Sequence, residues 1–99
     1  MNLKTLNYIR NKSQLQDLFI SQFSADYIRK EIHEILKETR KNATEGARLF
    51  AKNISTRELI IFMDRNGKPD GYLLSDELKI MLKDHREEEL TIRKLQNQF

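Results

Sequence analysis

Apolar positions recur at helical spacing through much of this chain, and the places where the spacing changes suggest its elements. From Ala25 to Asn53, with Ile54 just beyond, Ile28, Ile32, Ile35, Leu36, Thr39, Ala43, Ala47, Phe50, Ala51 and Ile54 step by three or four, adjacent pairs apart. That pattern is one apolar stripe and predicts a long amphipathic helix, with Ser24 as its N-cap. The polar side interleaves Lys30, Glu34, Lys37, Lys41, Glu45, Arg48 and Lys52, so opposite charges meet one turn apart. Gly46 lies near the stripe and costs up to ~1 kcal/mol against alanine, marking either a break between two helices or a closely packed neighbour. Upstream, Ser13-Gln14-Leu15-Gln16 reads as a capping box, and Leu15, Leu18, Phe19 and Phe23 predict a short helix over 14–22. Leu3 to Ile9 is weakly patterned.

The second half offers two conflicting signals. Ser55-Thr56-Arg57-Glu58 is a capping box, which starts helices. Leu59-Ile60-Ile61-Phe62-Met63 is a continuous apolar run of strand length, as in a strand buried on both faces. Asn66-Gly67 favours the strand, since this dipeptide is the leading signal for a type I′ hairpin. The resulting register sets Asp64 opposite Pro69 at a non-hydrogen-bonded pair, where a proline is tolerated. A β-hairpin is therefore expected at about 58–75, with Asn66, Gly67, Pro69 and Gly71 as its turn residues. Ser75-Asp76-Glu77 then opens a C-terminal helix. Leu78, Met81, Leu82, Ile92, Leu95 and Phe99 mark its apolar side. Its middle, Lys83 to Glu89, is polar enough for the helix to fray or stand away from the body. Such a helix either awaits a partner or packs on its own domain.

The fold class expected is α+β: N-terminal helices including the long amphipathic one, the hairpin, and a C-terminal helix, in a single domain. The alternative is an all-α chain with an EF-hand-like loop. A lone hairpin is marginal in water, and pairing across a homodimer would support it and cover its edge.

Composition narrows the function more than the fold. Ninety-nine residues make one domain with a modest core; 38% are hydrophobic and 33% charged. No apolar run approaches membrane-spanning length. The first twelve residues, MNLKTLNYIRNK, lack the unbroken apolar stretch of a signal peptide. Cysteine is absent, which removes disulfides and thiolate chemistry and suits a reducing cytoplasm. With two histidines, no phosphate-binding glycine loop and no framed pair of acids, neither an enzyme nor a cofactor is expected. The net charge of +3 divides into +4 over residues 1–54 (ten Lys/Arg, six Asp/Glu) and −1 over 55–99 (eight against nine). A basic front half is compatible with nucleic-acid contact and equally common on ordinary helical surfaces.

The string Arg65-Asn66-Gly67-Lys68-Pro69-Asp70-Gly71-Tyr72-Leu73-Leu74-Ser75-Asp76-Glu77-Leu78 resembles the hairpin-to-helix segment of Phd/YefM-type (prevent-host-death) antitoxins. Glu38-Thr39-Arg40-Lys41-Asn42 is similar to the helix preceding it, so the resemblance covers about residues 38–85. It implies a homodimer that binds operator DNA and neutralises a cognate toxin through its C-terminal segment. Arg40, with Lys41 beside it, and Arg65 would then reach DNA, and the segment from Leu78, Met81 and Leu82 onward would lead to the toxin. The chain departs from that family in its roughly 37 residues of mostly helical N-terminal extension and in a longer gap between Arg40 and Arg65.

The same loop also resembles an EF-hand calcium site through Asp64, Asn66, Asp70, Gly71, Leu73 and Glu77, with Asp64, Asn66, Asp70 and Glu77 as candidate ligands. Two extra residues between Asn66 and Asp70, and a lysine within the loop, work against it. Three functions follow from the sequence: an antitoxin-like binding protein that autoregulates on operator DNA, a helical protein–protein adaptor, and a calcium-responsive protein.

Overall fold

The computed structural model describes residues 3–97. Among them the chain runs β1 (Lys4–Leu6), α1 (Lys12–Phe19), α2 (Ala25–Thr39), α3 (Glu45–Phe50), α4 (Thr56–Asn66), β2 (Tyr72–Leu74) and α5 (Asp76–Asn97). Five helices and one two-stranded parallel sheet make up the described fold, so α+β holds as a coarse description while its predicted hairpin does not.

Each helix begins at a side chain that accepts a first-turn amide, which satisfies one of the donors a helix start leaves unpaired. Ser24 Oγ accepts from Tyr27 N at 3.1 Å, the cap expected from the sequence. The first helix is capped two residues earlier than Ser13: Asn11 Oδ1 accepts from Gln14 N at 2.8 Å, and the helix stops at Phe19. The long helix is two helices. It leaves helical geometry at Arg40 and restarts with Thr44 as the cap of α3. Gly46 is neither the break nor a point of close approach, because it is exposed inside α3 with open space where a Cβ would stand.

Leu59–Met63 form the centre of α4, which corrects the hairpin. The capping box is fully made: Ser55 Oγ accepts from Glu58 N at 3.2 Å, and Glu58 Oε1 accepts from Ser55 N at 2.9 Å. All five apolar residues are buried because α4 is packed by α2 on one side and α5 on another. A helix covered on two sides loses the clean amphipathic period and reads like a buried strand. Asn66-Gly67 ends this helix rather than turning a hairpin: Gly67 takes φ 86°, and its N–H donates to Met63 O at 2.8 Å. Glycine past a helix end, followed two residues later by proline, is a common stop. Pro69 is buried in the loop that follows, and Gly71 also takes positive φ, at 81°.

The strand after the loop pairs with the unpatterned N-terminus instead of with residues 58–63. Lys4, Thr5 and Leu6 lie parallel to Tyr72, Leu73 and Leu74. Lys4 N donates to Gly71 O at 3.1 Å, and Ser75 N donates to Leu6 O at 2.8 Å. A parallel pair needs a long crossover, here α1 to α4. The core lies among α1, α2, α4 and the first turns of α5. At its centre the Phe19 and Phe62 rings stand 4.7 Å apart and tilted by 52°.

The last helix runs unbroken from the Ser75 cap, so its polar middle does not fray. Its 22 residues extend about 33 Å at 1.5 Å per residue. Leu78 and Leu82 pack in the core, whereas Leu90, Ile92 and Leu95 remain exposed beyond it.

Candidate docking groove

Past His85 the distal half of α5 borders an open groove of about 660 Å³. Its floor is the outer side of α4 (Arg57, Ile61, Asp64, Arg65) with the end of α2 and the turn after it (Glu38, Thr39, Lys41). Its wall is α5, through Glu89, Ile92, Arg93 and Gln96. A second hollow, of about 360 Å³, lies on the other flank of α5 between Arg57, Ile60, Met81, Asp84, His85 and Glu88. Helix α5 thus crosses α4 near Met81–His85 and then has space on both flanks.

His85 and Arg86 hold the crossing point. Arg86 Nε donates to Asp64 Oδ1 at 3.0 Å, and His85 Nε2 lies 3.5 Å from Asp64 Oδ2. Arg65 pairs with Glu38 and approaches Glu31 at 4.0 Å. Of the charges lining the groove, Lys41, Arg57, Arg93 and Glu89 form no ion pair among the described residues. The groove therefore carries a surplus of free cations over a mainly polar floor, in which Ile61 is almost fully buried, and a partly apolar wall at Ile92.

The three residues the antitoxin resemblance assigns to DNA have different surroundings. Arg40 is turned inward and donates to both carboxylate oxygens of Glu58, Nε to Oε2 at 3.1 Å and Nη2 to Oε1 at 2.9 Å. Its Nη2 also donates to Asn53 O at 3.0 Å, and the Thr39 hydroxyl donates to Glu58 Oε2. Burial alone pushes the Glu58 carboxyl up, but the Arg40 guanidinium, the Ser55 N–H and the Thr39 hydroxyl more than reverse this and hold it below its ordinary range. This two-point grip joins α2 to the start of α4. Lys12 sits near the same junction, its ammonium donating to Arg48 O at 3.0 Å and Leu49 O at 3.2 Å. Partial burial lowers its pKa, and the Arg40 charge adds to that. Arg65 is paired with Glu38, and Lys41 is exposed and forms no ion pair among the described residues.

Of the expected partner-binding residues, Leu78 and Leu82 belong to the protein's own core and are 1% and 9% exposed. Met81, Ile92 and Leu95 are exposed, at 39%, 48% and 53%, and Phe99 lies outside the described residues. Leu90, Arg57, Glu89 and Arg93 were not expected here. Leu90 sits off the stripe, two residues from Ile92 and so about 160° around the helix. The signal for it was its position between charged residues, where a purely solvated surface would not need a leucine.

The calcium candidates are not brought together. Asp64 is turned to His85 and Arg86, Asn66 accepts from the Tyr27 hydroxyl, and the Asp70 amide donates to Gln22 Oε1 at 2.8 Å. Among the described residues no group of three or more His, Cys, Asp or Glu is placed to hold a metal ion. No helix of the described chain is long and apolar enough to cross a membrane.

Comparison with known proteins finds no match, whether among protein-family models, curated proteins or solved structures.

Proposed function

We propose that this chain is a non-enzymatic protein-interaction module, an adaptor that receives a partner protein along the distal half of α5 and the adjoining groove. The observation that carries this is the exposure of Leu90, Ile92 and Leu95 on a helix that has already buried Leu78 and Leu82 in its own core. Scattered single apolar residues on a surface are ordinary, whereas several on one overhanging helix beside an open groove suit helix-in-groove recognition. The free cations Lys41, Arg57 and Arg93 favour an acidic partner surface.

In the antitoxin-like version of this function the partner is a toxin and the chain also represses its own operator. The strand–turn–strand on which that likeness rests is a helix, loop and parallel strand here. Its DNA-binding half would rest mainly on Lys41, since Arg40 and Arg65 are occupied by Glu58 and Glu38. The adaptor is therefore the better-supported version.

A photo-reactive residue placed at Leu95 in the expressed protein tests the surface directly. A discrete cross-linked product is expected there and is not expected from the same residue at Leu73 on β2, which is similarly exposed. Failure to cross-link at Leu95, or equal cross-linking at both positions, refutes the assignment.

A further inference from the structure

The distal half of α5 is apolar on more than one side, although its own body faces only one of them. Ile92 points toward the groove with Glu89, Arg93 and Gln96. Leu90, 54% exposed, lies about 160° around the helix from Ile92, with Glu87 one turn before it. A helix needing cover from one neighbour carries one apolar stripe; apolar residues on opposite sides call for neighbours on both.

The charges supply the second half of the inference. Glu87, Glu88 and Glu89 form no ion pair among the described residues, and neither do Lys41, Arg57 and Arg93. One chain thus carries both a free acidic segment on an overhanging helix and a groove lined with free cations. Such a surface is complementary to itself, as an isologous two-fold interface requires.

From this geometry we infer that the groove's occupant is α5 of a second copy of this chain, a specific case of the interaction surface proposed above. The two distal helices lie antiparallel about a two-fold axis near Thr91, each entering the groove of the other copy. Glu89 of each copy then comes opposite Arg93 of the other, with the two Ile92 side chains packed close to the axis. The side of each helix with Glu87 and Leu90 meets Lys41 and Arg57 of the other copy. The layers run body, helix, helix, body, so that both sides of the distal helix are covered.

Sedimentation equilibrium of the full chain over a range of concentration and salt tests the pairing. The expected result is a species of twice the 11.8 kDa chain mass that weakens as salt screens the charges. Glu89→Arg alone and Arg93→Glu alone should each shift the protein to monomer, and the double variant should recover the dimer. Ile92→Asp and Leu90→Asp should also give monomers with unchanged circular dichroism, since both side chains are exposed in one copy. A wild-type monomer at every concentration overturns the inference, as does a dimer indifferent to these substitutions. If the wild type is monomeric yet Leu95 cross-links to a different protein, self-pairing is wrong and the interaction surface stands. If it is monomeric and nothing cross-links, both fall.

Discussion

The two halves of α5 have similar chemistry and opposite fates. The proximal half places Leu78 and Leu82 against α4 and is pinned at its far end by Asp64 holding His85 and Arg86. The distal half carries Leu90, Ile92 and Leu95, which no neighbour among the described residues covers. Apolar residues recur on either side of His85, Leu78, Met81 and Leu82 before it and Leu90, Ile92 and Leu95 after it, and charged residues fill the intervals in both. Apolar spacing therefore defines the face a helix offers, while the length of the body beneath it decides how much of that face is used internally. The charges teach the same lesson. Arg40 caps the end of α2 and Arg93 lies on α5, but Arg40 is drawn to the buried Glu58 and Arg93 is left without a carboxylate among the described residues.

The contrast is broken most forcefully by truncating matching apolar residues in the two halves. Leu78→Ala should cost about 3–4 kcal/mol in urea unfolding, from lost burial and the cavity left behind. Ile92→Ala should leave monomer stability within about 0.5 kcal/mol. Comparable losses at the two sites would mean that the distal half is packed after all.

Next in size is the inward-facing arginine. Glu58→Ala removes the partner of Arg40 and an acceptor for Ser55 and Thr39, and should destabilise by about 2–3 kcal/mol, toward the low end for a buried pair because Arg40 keeps partial access to water. The pH dependence has a definite sign. The folded-state pKa of Glu58 is depressed, so its stabilisation is complete above the ordinary value of 4.5 and is lost as the pH falls below it. Urea midpoints measured across this acid range should fall less steeply for Glu58→Gln than for the wild type. Parallel slopes would show that the Arg40 grip contributes nothing to acid sensitivity.

The smallest effect sharpens the distal side. Arg93→Glu should leave the urea midpoint of the monomer within about 0.5 kcal/mol, as for other surface substitutions, even where it abolishes association. A large loss of monomer stability would place Arg93 inside the fold.

Much of the helical framework was legible along the chain. Ser24 and Ser75 cap helices where their spacing indicated, the Ser55 capping box was visible but was outweighed by the hairpin signal, and the Ile28–Leu36 stripe is the buried side of α2. The errors have specific causes. Leu59–Met63 lost its helical period because it is covered on opposing sides, and Asn66-Gly67 serves a helix end as readily as a hairpin because both require a residue at positive φ. The first strand went unseen because three residues pairing at long range leave almost no local pattern. On the candidate site, Ile92, Leu95 and Met81 were legible as apolar and terminal. Arg57, Glu89 and Leu90 were not, since their meaning depends on what faces them across the groove.

The sequence by itself determined where α2 and α5 begin, which side of each is apolar, and that the chain carries more charge than its interior can use. Those properties arise from neighbours within a few residues, where capping and periodicity act. Only the tertiary structure decided that the apolar run is a central helix, that Arg40 points inward, and that α5 outruns its support. Each of those outcomes depends on groups brought together from distant parts of the chain, and burial and ion pairing follow distance in space.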